Sequence, residues 1–196
     1  MANNQPSLFD IDTPEKRNKS LFYALRTNNA GVLQLAHLTE QLREKHRLTG
    51  IPLRPEHLHV SLCHLGDHAE RPEAFIAMAR RAGEAMHMPP FEFLFDEVLS
   101  YSGQAANELP FALQASTASI EFKAFQIQLA AEMVKAGLKA WARPTSRPHL
   151  TLLYDAKNIA SEPVAPLRVV AHELVLVISY LGETRYEIVE SWPLTA

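Results

Sequence analysis

The chain has 196 residues, 47% of them hydrophobic, and a formal net charge of −3. That size supports one domain, or two small lobes sharing a site, around a full core. The acidic balance excludes broad electrostatic binding to nucleic acid, though not a short basic cleft that holds one RNA end. Cys63 is the single cysteine, so neither an internal disulfide nor a Cys-based zinc site can form, and the chain suits a reducing compartment. No uninterrupted apolar run reaches the roughly 20 residues needed to cross a bilayer, and the polar N-terminus lacks the apolar stretch of a signal peptide. The expectation is a soluble, cytoplasmic monomer that makes no use of a membrane.

Residues 1–19 read as a flexible polar tail, followed by one bilobal domain over 20–196. Ser20–Arg26 is short, apolar and aromatic, and reads as a strand. Val32, Leu35, Leu38 and Leu42 fall at steps of three and four, which predicts a helix over Gly31–His46. Gly50, Pro52 and Pro55 interrupt it, and His57–Leu65 is a second strand. Phe75, Met78, Ala82 and Met86 mark a second helix that Pro89 and Pro90 stop. Strands follow at Phe91–Tyr101 and Phe111–Ser116, then a helix over Ile120–Gly137 with Phe122, Phe125, Leu129 and Met133 on one face. After an Arg- and Pro-containing loop, His149–Tyr154 is a strand, Asp155–Pro166 a loop, and Arg168–Leu181 with Arg185–Trp192 a closing hairpin. The order predicts an α+β fold, since it lacks the strict alternation of a doubly wound sheet.

Two of these strands carry the same pattern of His, apolar, hydroxyl, apolar: His59-Val60-Ser61-Leu62 and His149-Leu150-Thr151-Leu152. Alternate strand residues share a face, so each histidine should stand beside its hydroxyl while the apolar residues turn to the core. Phosphodiester chemistry needs a base for the attacking oxygen and an acid for the leaving oxygen, and histidine serves as either near neutral pH. The hydroxyls of Ser61 and Thr151 could donate to the non-bridging phosphate oxygens, where charge accumulates. One such motif arises by chance. Two copies, each on a predicted strand, point to a two-histidine phosphoesterase with neither metal nor cofactor.

With those residues in place, the chain resembles the 2H phosphoesterases, specifically the group of 2′-5′ RNA ligases and RNA 2′,3′-cyclic phosphodiesterases. Leu21-Phe22-Tyr23-Ala24-Leu25 resembles that family's first strand, Pro148-His149-Leu150-Thr151-Leu152 its second motif, and Ser179-Tyr180-Leu181-Gly182 through Tyr186 to Trp192-Pro193-Leu194 its C-terminal hairpin. The resemblance implies two pseudo-symmetric lobes, each an antiparallel sheet with helices on its outer face and a catalytic cleft between. It implies hydrolysis of 2′,3′-cyclic phosphates of RNA ends or nucleosides to 2′-phosphates, with reversible 2′-5′ ligation. In the hydrolytic direction His149 would be the base and His59 the acid. The chain departs from the family in having His64 where an aromatic residue is common, Tyr154 where Arg is common, and Ser61 for the commoner Thr. A non-catalytic RNA-end binding module, or a hydrolase of a small cyclic nucleotide such as an ADP-ribose cyclic phosphate, remains open on the same motifs.

Arg147, Arg143 and Arg54 lie just before the motifs and could meet a phosphate through charge-assisted hydrogen bonds, with Arg26 a further candidate. Tyr154 could stack on a base. His57 shares the predicted strand face of His59, and such a pair could bind zinc or copper, although no third ligand is evident. Cys63, of the same parity as His59 and Ser61, reads as a small buried filler. In the tail, Gln5, Leu8 and Phe9 match the spacing of the short peptide by which bacterial proteins dock on the DNA polymerase sliding clamp. A pattern so short also arises by chance.

Overall fold

The computed structural model describes residues 17–102, 108–143, 147–183 and 185–195. The tail residues Gln5, Leu8 and Phe9 fall outside them. The elements run β1 (Lys19–Thr27), α1 (Asn29–His46), β2 (Val60–His68), α2 (Glu73–Glu84), β3 (Phe91–Ser100), β4 (Leu109–Gln114), α3 (Ile120–Lys135), β5 (His149–Asp155), β6 (Glu162–Tyr180) and β7 (Arg185–Pro193). This is the α+β fold that the element order predicts, with the antiparallel strands that the resemblance implies.

All seven strands join one antiparallel sheet in the order β1-β2-β5-β4-β3-β6-β7, and a further pairing of β6 with β1 brings the sheet round on itself. β6 makes this possible by its length. Its first part pairs with β3, from Phe91↔Ala171 to Val98↔Glu162, and its second part pairs with β1, from Thr27↔Ala171 to Lys19↔Tyr180. The result is two halves joined through β6, β2-β1-β6-β7 and β5-β4-β3-β6. They touch again at the motif strands through the single pair Val60↔Leu150.

Three sequence expectations need correction. His57 does not extend the strand of His59, because Pro55 starts a 3-10 turn over Pro55–His57 and β2 begins only at Val60. The predicted loop Asp155–Pro166 is shorter, because β6 starts at Glu162 and takes in Pro163 and Pro166. Prolines are tolerated there since β3 is the one described neighbour of that stretch, and an N–H missing from the other edge breaks no ladder bond. The parity assigned to Cys63 also fails, for a reason that belongs to the site.

The helices cover one side of the sheet. On β1, Leu21, Tyr23 and Leu25 are buried in the main core, and the Tyr23 hydroxyl donates to the Ala79 carbonyl of α2 at 2.5 Å. Phe122 and Phe125 of α3 pack on Phe91 of β3, while Leu35 and Leu42 of α1 join the same cluster. Alternate β1 residues face the other way. Phe22 and Ala24 form a small separate cluster with Val175, Val177 and Tyr186, and this floors the cleft. α1 is started by the Asn28 side chain, which accepts from the Gly31 N–H at 3.0 Å, and ends at Arg47 in the left-handed conformation. Among the described residues, no helix is long and apolar enough to cross a membrane.

Candidate active site

The two motif strands carry the same irregularity. On β2, Ala24 pairs with Ser61 but Tyr23 pairs with Cys63, so Leu62 is an extra residue in the ladder. On β5, Ala112 pairs with Thr151 but Phe111 pairs with Leu153, so Leu152 is extra in the same way. Each bulge reverses the alternation beyond it. Ser61 and Thr151 therefore face the cleft, Cys63 and Leu153 turn to the core, and His64 and Tyr154 come back to the cleft. Cys63 is accordingly on the face opposite Ser61, and burial pushes its thiol up to about 11.

The pair Val60↔Leu150 sets the histidines. Continuing its antiparallel register puts His59 across from Thr151 and Ser61 across from His149. The cleft they share encloses about 470 Å³, and its walls include both histidines and both hydroxyls, with Tyr101 and Tyr186 beside them.

Each ring is tied through Nδ1 to the carbonyl two residues earlier. His59 Nδ1 lies 2.7 Å from the His57 oxygen, and His149 Nδ1 lies 3.4 Å from that of Arg147. A carbonyl can only accept, so Nδ1 bears the proton and Nε2 is the basic nitrogen. His59 Nε2 is 3.1 Å from the Ser61 hydroxyl, which donates to it. Burial lowers the pKa of His59 to about 4, with smaller contributions from the charges of His149, His57 and Arg26. Burial also lowers that of His149. In the free protein near neutral pH both imidazoles are thus neutral, and an anion bound between them favours protonation.

Aromatic rings brace both histidines. His59 is flanked by Phe22 and Tyr186, with ring centroids 5.3 and 5.7 Å away, and His57 also packs on Tyr186, at 4.5 Å. His149 lies 4.8 Å from Tyr101, whose hydroxyl donates to the Gln114 Oε1 at 2.5 Å. Gln114 in turn donates to Glu97 at 2.9 Å and sits across from His149 in the β4–β5 ladder. Burial raises the phenol of Tyr186 to about 12, so both rings serve as neutral walls.

Residues 32–177 match the model of the 2′-5′ RNA ligase superfamily. The chain belongs to this family of 2H phosphoesterases. Among solved structures, E. coli LigT in its apo form is 22% identical, with a TM-score of 0.63 over 91% of this chain and 98% of that one. LigT complexed with 3′-AMP gives 0.61 at 22% identity over the same shares, 91% and 98%. TT0787 of Thermus thermophilus gives 0.63 at 21% identity over 89% of this chain and 97% of that chain. No curated protein matches the chain in sequence.

For this 2H phosphoesterase, the cleft gathers His59, Ser61, His149, Thr151 and Tyr154 among the residues singled out from sequence. It does not gather the arginines. Arg54, Arg143 and Arg147 are exposed and none of them lines the cleft. Arg147 stays closest, since its charge acts on the Tyr101 phenol and its carbonyl holds His149. Arg26 is partly buried and is engaged by Glu173 at 3.2 Å. Among the described residues, no group of three or more His, Cys, Asp or Glu converges. His57 is enclosed against Tyr186, with its carbonyl, not its ring, turned to His59. Sequence reasoning missed Phe22, Tyr101 and Tyr186 as site walls. Phe22 was legible in principle, because it alternates with the core residues Leu21 and Tyr23.

Proposed function

We propose that this protein hydrolyses 2′,3′-cyclic phosphates of RNA ends or nucleosides to 2′-phosphates, and that the same site supports the reverse 2′-5′ ligation. The supporting observation is the paired histidines, each with Nδ1 spent on a backbone carbonyl, Nε2 left basic, and a hydroxyl two residues on at the same cleft. A non-catalytic binder has no use for two such groups in one cleft. Structures of E. coli LigT with 3′-AMP, ATP and phosphate support a nucleotide-sized ligand for this fold.

In this reading one Nε2 takes a proton from water as the water oxygen bonds to phosphorus. The bond from phosphorus to the 3′ oxygen breaks in line, and the second imidazole, protonated when the anionic phosphate binds, gives its proton to that oxygen. Following the resemblance, His149 is the base and His59 the acid, and the roles exchange in ligation. Ser61 and Thr151 donate to the non-bridging oxygens. Arg147, outside the cleft wall, contributes only a longer-range positive charge from the His149 side, and Tyr154 offers a ring to the base. No step calls for a metal.

The test is a panel of nucleoside 2′,3′-cyclic phosphates and RNAs with cyclic phosphate ends, assayed in EDTA with the regiochemistry of the product determined. Production of 2′-phosphates supports the reading. Formation of 3′-phosphates, or turnover only after a divalent ion is restored, would overturn it.

A further inference from the structure

Helix α3 is apolar on two faces. Phe122, Phe125, Leu129 and Met133 are fully buried in the main core. A second row, Ile120, Ala124, Ile127, Ala131 and Val134, is exposed, with Ile120 at 81%, Ile127 at 72% and Val134 at 46%. Steps of four, three, four and three residues hold these five in one stripe along the helix. Single exposed apolar side chains are ordinary. A full row of them is not, and β-branched Ile and Val are poor choices for a solvated helix face, where they lose χ1 freedom without burial in return.

The stripe is symmetric about its middle residue. Ile120 and Val134 lie seven residues to either side of Ile127, and Ala124 and Ala131 lie three and four away. A second α3 laid antiparallel on the first, about a twofold axis at Ile127, sets each Ile120 against Val134 of the other copy and each Ala124 against Ala131. Ile127 meets its own counterpart. The alanines between the large residues let the helices approach to the short end of the 8–10 Å range of helix pairs.

The charges fit the same arrangement. At 100° per residue, Glu121 and Lys135 stand on one flank of the stripe, at opposite ends of α3. In an antiparallel pair that flank faces its own copy with the ends exchanged, so each Glu121 comes opposite Lys135 of the other chain. Lys135 is exposed and is held by Glu132 of its own helix at 2.7 Å, a surface pair of the kind that holds weakly. A membrane surface is a poorer occupant, because an interfacial helix carries Lys and Arg along its polar face and this one carries Glu121 and Glu132 beside Lys135. No residue of α3 lines the histidine cleft, so the pairing leaves both clefts open.

We infer that two copies of this chain associate through the outer face of α3, antiparallel and isologous, with Ile127 on the axis. One helix pair of this length falls short of the ~1,200 Å² that marks standard interfaces, so the dimer is a reversible one, in place of the monomer expected from sequence.

The experiment is sedimentation equilibrium of the full-length protein from about 1 to about 300 µM, the range of a transient interface. The parent should pass from monomer to dimer, and Ile127→Glu should stay monomeric with the parental kcat. Glu121→Lys and Lys135→Glu should each weaken association about tenfold, and the double exchange should restore it to within about threefold. Under mild oxidation Ile127→Cys should link to its own copy, while Ile120→Cys, whose two copies stand about 21 Å apart along the axis, should not. The unaltered chain with its buried Cys63 is the control. A parent monomeric throughout overturns the inference and leaves the stripe to a different protein. So does a dimer that persists in Ile127→Glu, or one in which Ile120→Cys links as readily as Ile127→Cys.

Discussion

The Nε2 of His59 lies 3.1 Å from the Ser61 hydroxyl, while its Nδ1 is spent on the His57 carbonyl at 2.7 Å. Only Nε2 can exchange protons with a ligand, and the hydroxyl must swing away from it to donate to phosphate. Loss of either imidazole should therefore stop one half of the proton transfer. His59→Ala and His149→Ala are expected to lower kcat by about two to four orders of magnitude. Ser61→Ala should lose less, about one to two orders, because water can replace part of one donor. Single-turnover assays on a cyclic nucleotide decide this, and a histidine variant with parental turnover removes the mechanism.

The pH dependence follows from the burial of both rings. One imidazole must be protonated and the other neutral, so activity tracks the singly protonated pair. The pKa of His59 is lowered to about 4, and that of His149 lies below the ordinary histidine value. In kcat/KM, which reports the free protein, the optimum should thus lie on the acid side of neutrality and fall about tenfold per pH unit once the second pKa is passed. In kcat the bound anion raises the pKa it faces, so that profile should be displaced to higher pH. A kcat/KM optimum above pH 8 would contradict the burial argument.

Tyr101 is expected to act through His149. The backbone tether of that ring is long, 3.4 Å, and the Tyr101 ring held by Gln114 supplies the wall that its partner histidine obtains from Phe22 and Tyr186. Tyr101→Ala should lower kcat about 10- to 100-fold with little change in KM, the scale of a misplaced catalytic group. It should also move the alkaline limb of kcat/KM upward, because water reaching His149 relieves its desolvation. Tyr101→Phe keeps the ring and should retain most of the activity. Equal losses in Phe and Ala would assign the effect to the hydroxyl instead.

The core of β1 against α2 makes a separate prediction about stability. Gly83 lies so close to the Trp192 indole that a Cβ would come within 2.4 Å of it. Gly83→Ala should destabilise the protein by about 1–3 kcal/mol through overpacking. Trp192→Phe, which removes the crowding atoms, should recover part of that loss in the double variant. Urea unfolding with a coupling energy near zero would show that the two residues do not meet.

The meeting of His59 and Ser61 with His149 and Thr151 at one cleft was legible because strand alternation is local and needs only a period of two. What lies three residues further was not, because a bulge is a property of the pairing and not of either strand. Leu62 and Leu152 look like any apolar strand residue, yet as extra residues they send Cys63 inward and bring His64 to the cleft. The arginines failed to gather for a related reason. Nearness in sequence places Arg54 and Arg143 near the motifs, but the turn at Pro55–His57 and the approach to β5 leave their side chains in solvent. Tyr101 and Tyr186 sit far from the motifs in sequence; the β3–β4–β5 ladder brings Tyr101 to His149, and the pairing of β6 with both β1 and β7 brings Tyr186 to His59.

The last prediction concerns the residue after Tyr154. The Asp155 side chain is 7% exposed and accepts from three backbone N–H groups, those of Thr49, Gly50 and Lys157, at 2.7, 2.7 and 2.8 Å. It pins the loop after α1 to the end of β5, where Gly50 is so close to the Tyr154 carbonyl that a Cβ would lie 2.0 Å away. Asp155→Ala leaves three donors without their acceptor and should cost about 2–4 kcal/mol in urea unfolding, with an unchanged m-value. Partial burial alone would raise this carboxyl, but the backbone hydrogen bonds outweigh it and hold the folded-state pKa below the ordinary value of 3.8. The sign follows. The stabilisation is fully present above the unfolded-state pKa of about 3.9 and is lost as pH falls through the lower folded-state value. The parent and Asp155→Asn should thus differ most at neutral pH and converge in acid. Because the anchored loop backs Tyr154, Asp155→Ala should also raise KM more than it lowers kcat. A parental KM in a clearly destabilised variant would show that the loop matters to the fold and not to the base-binding rim.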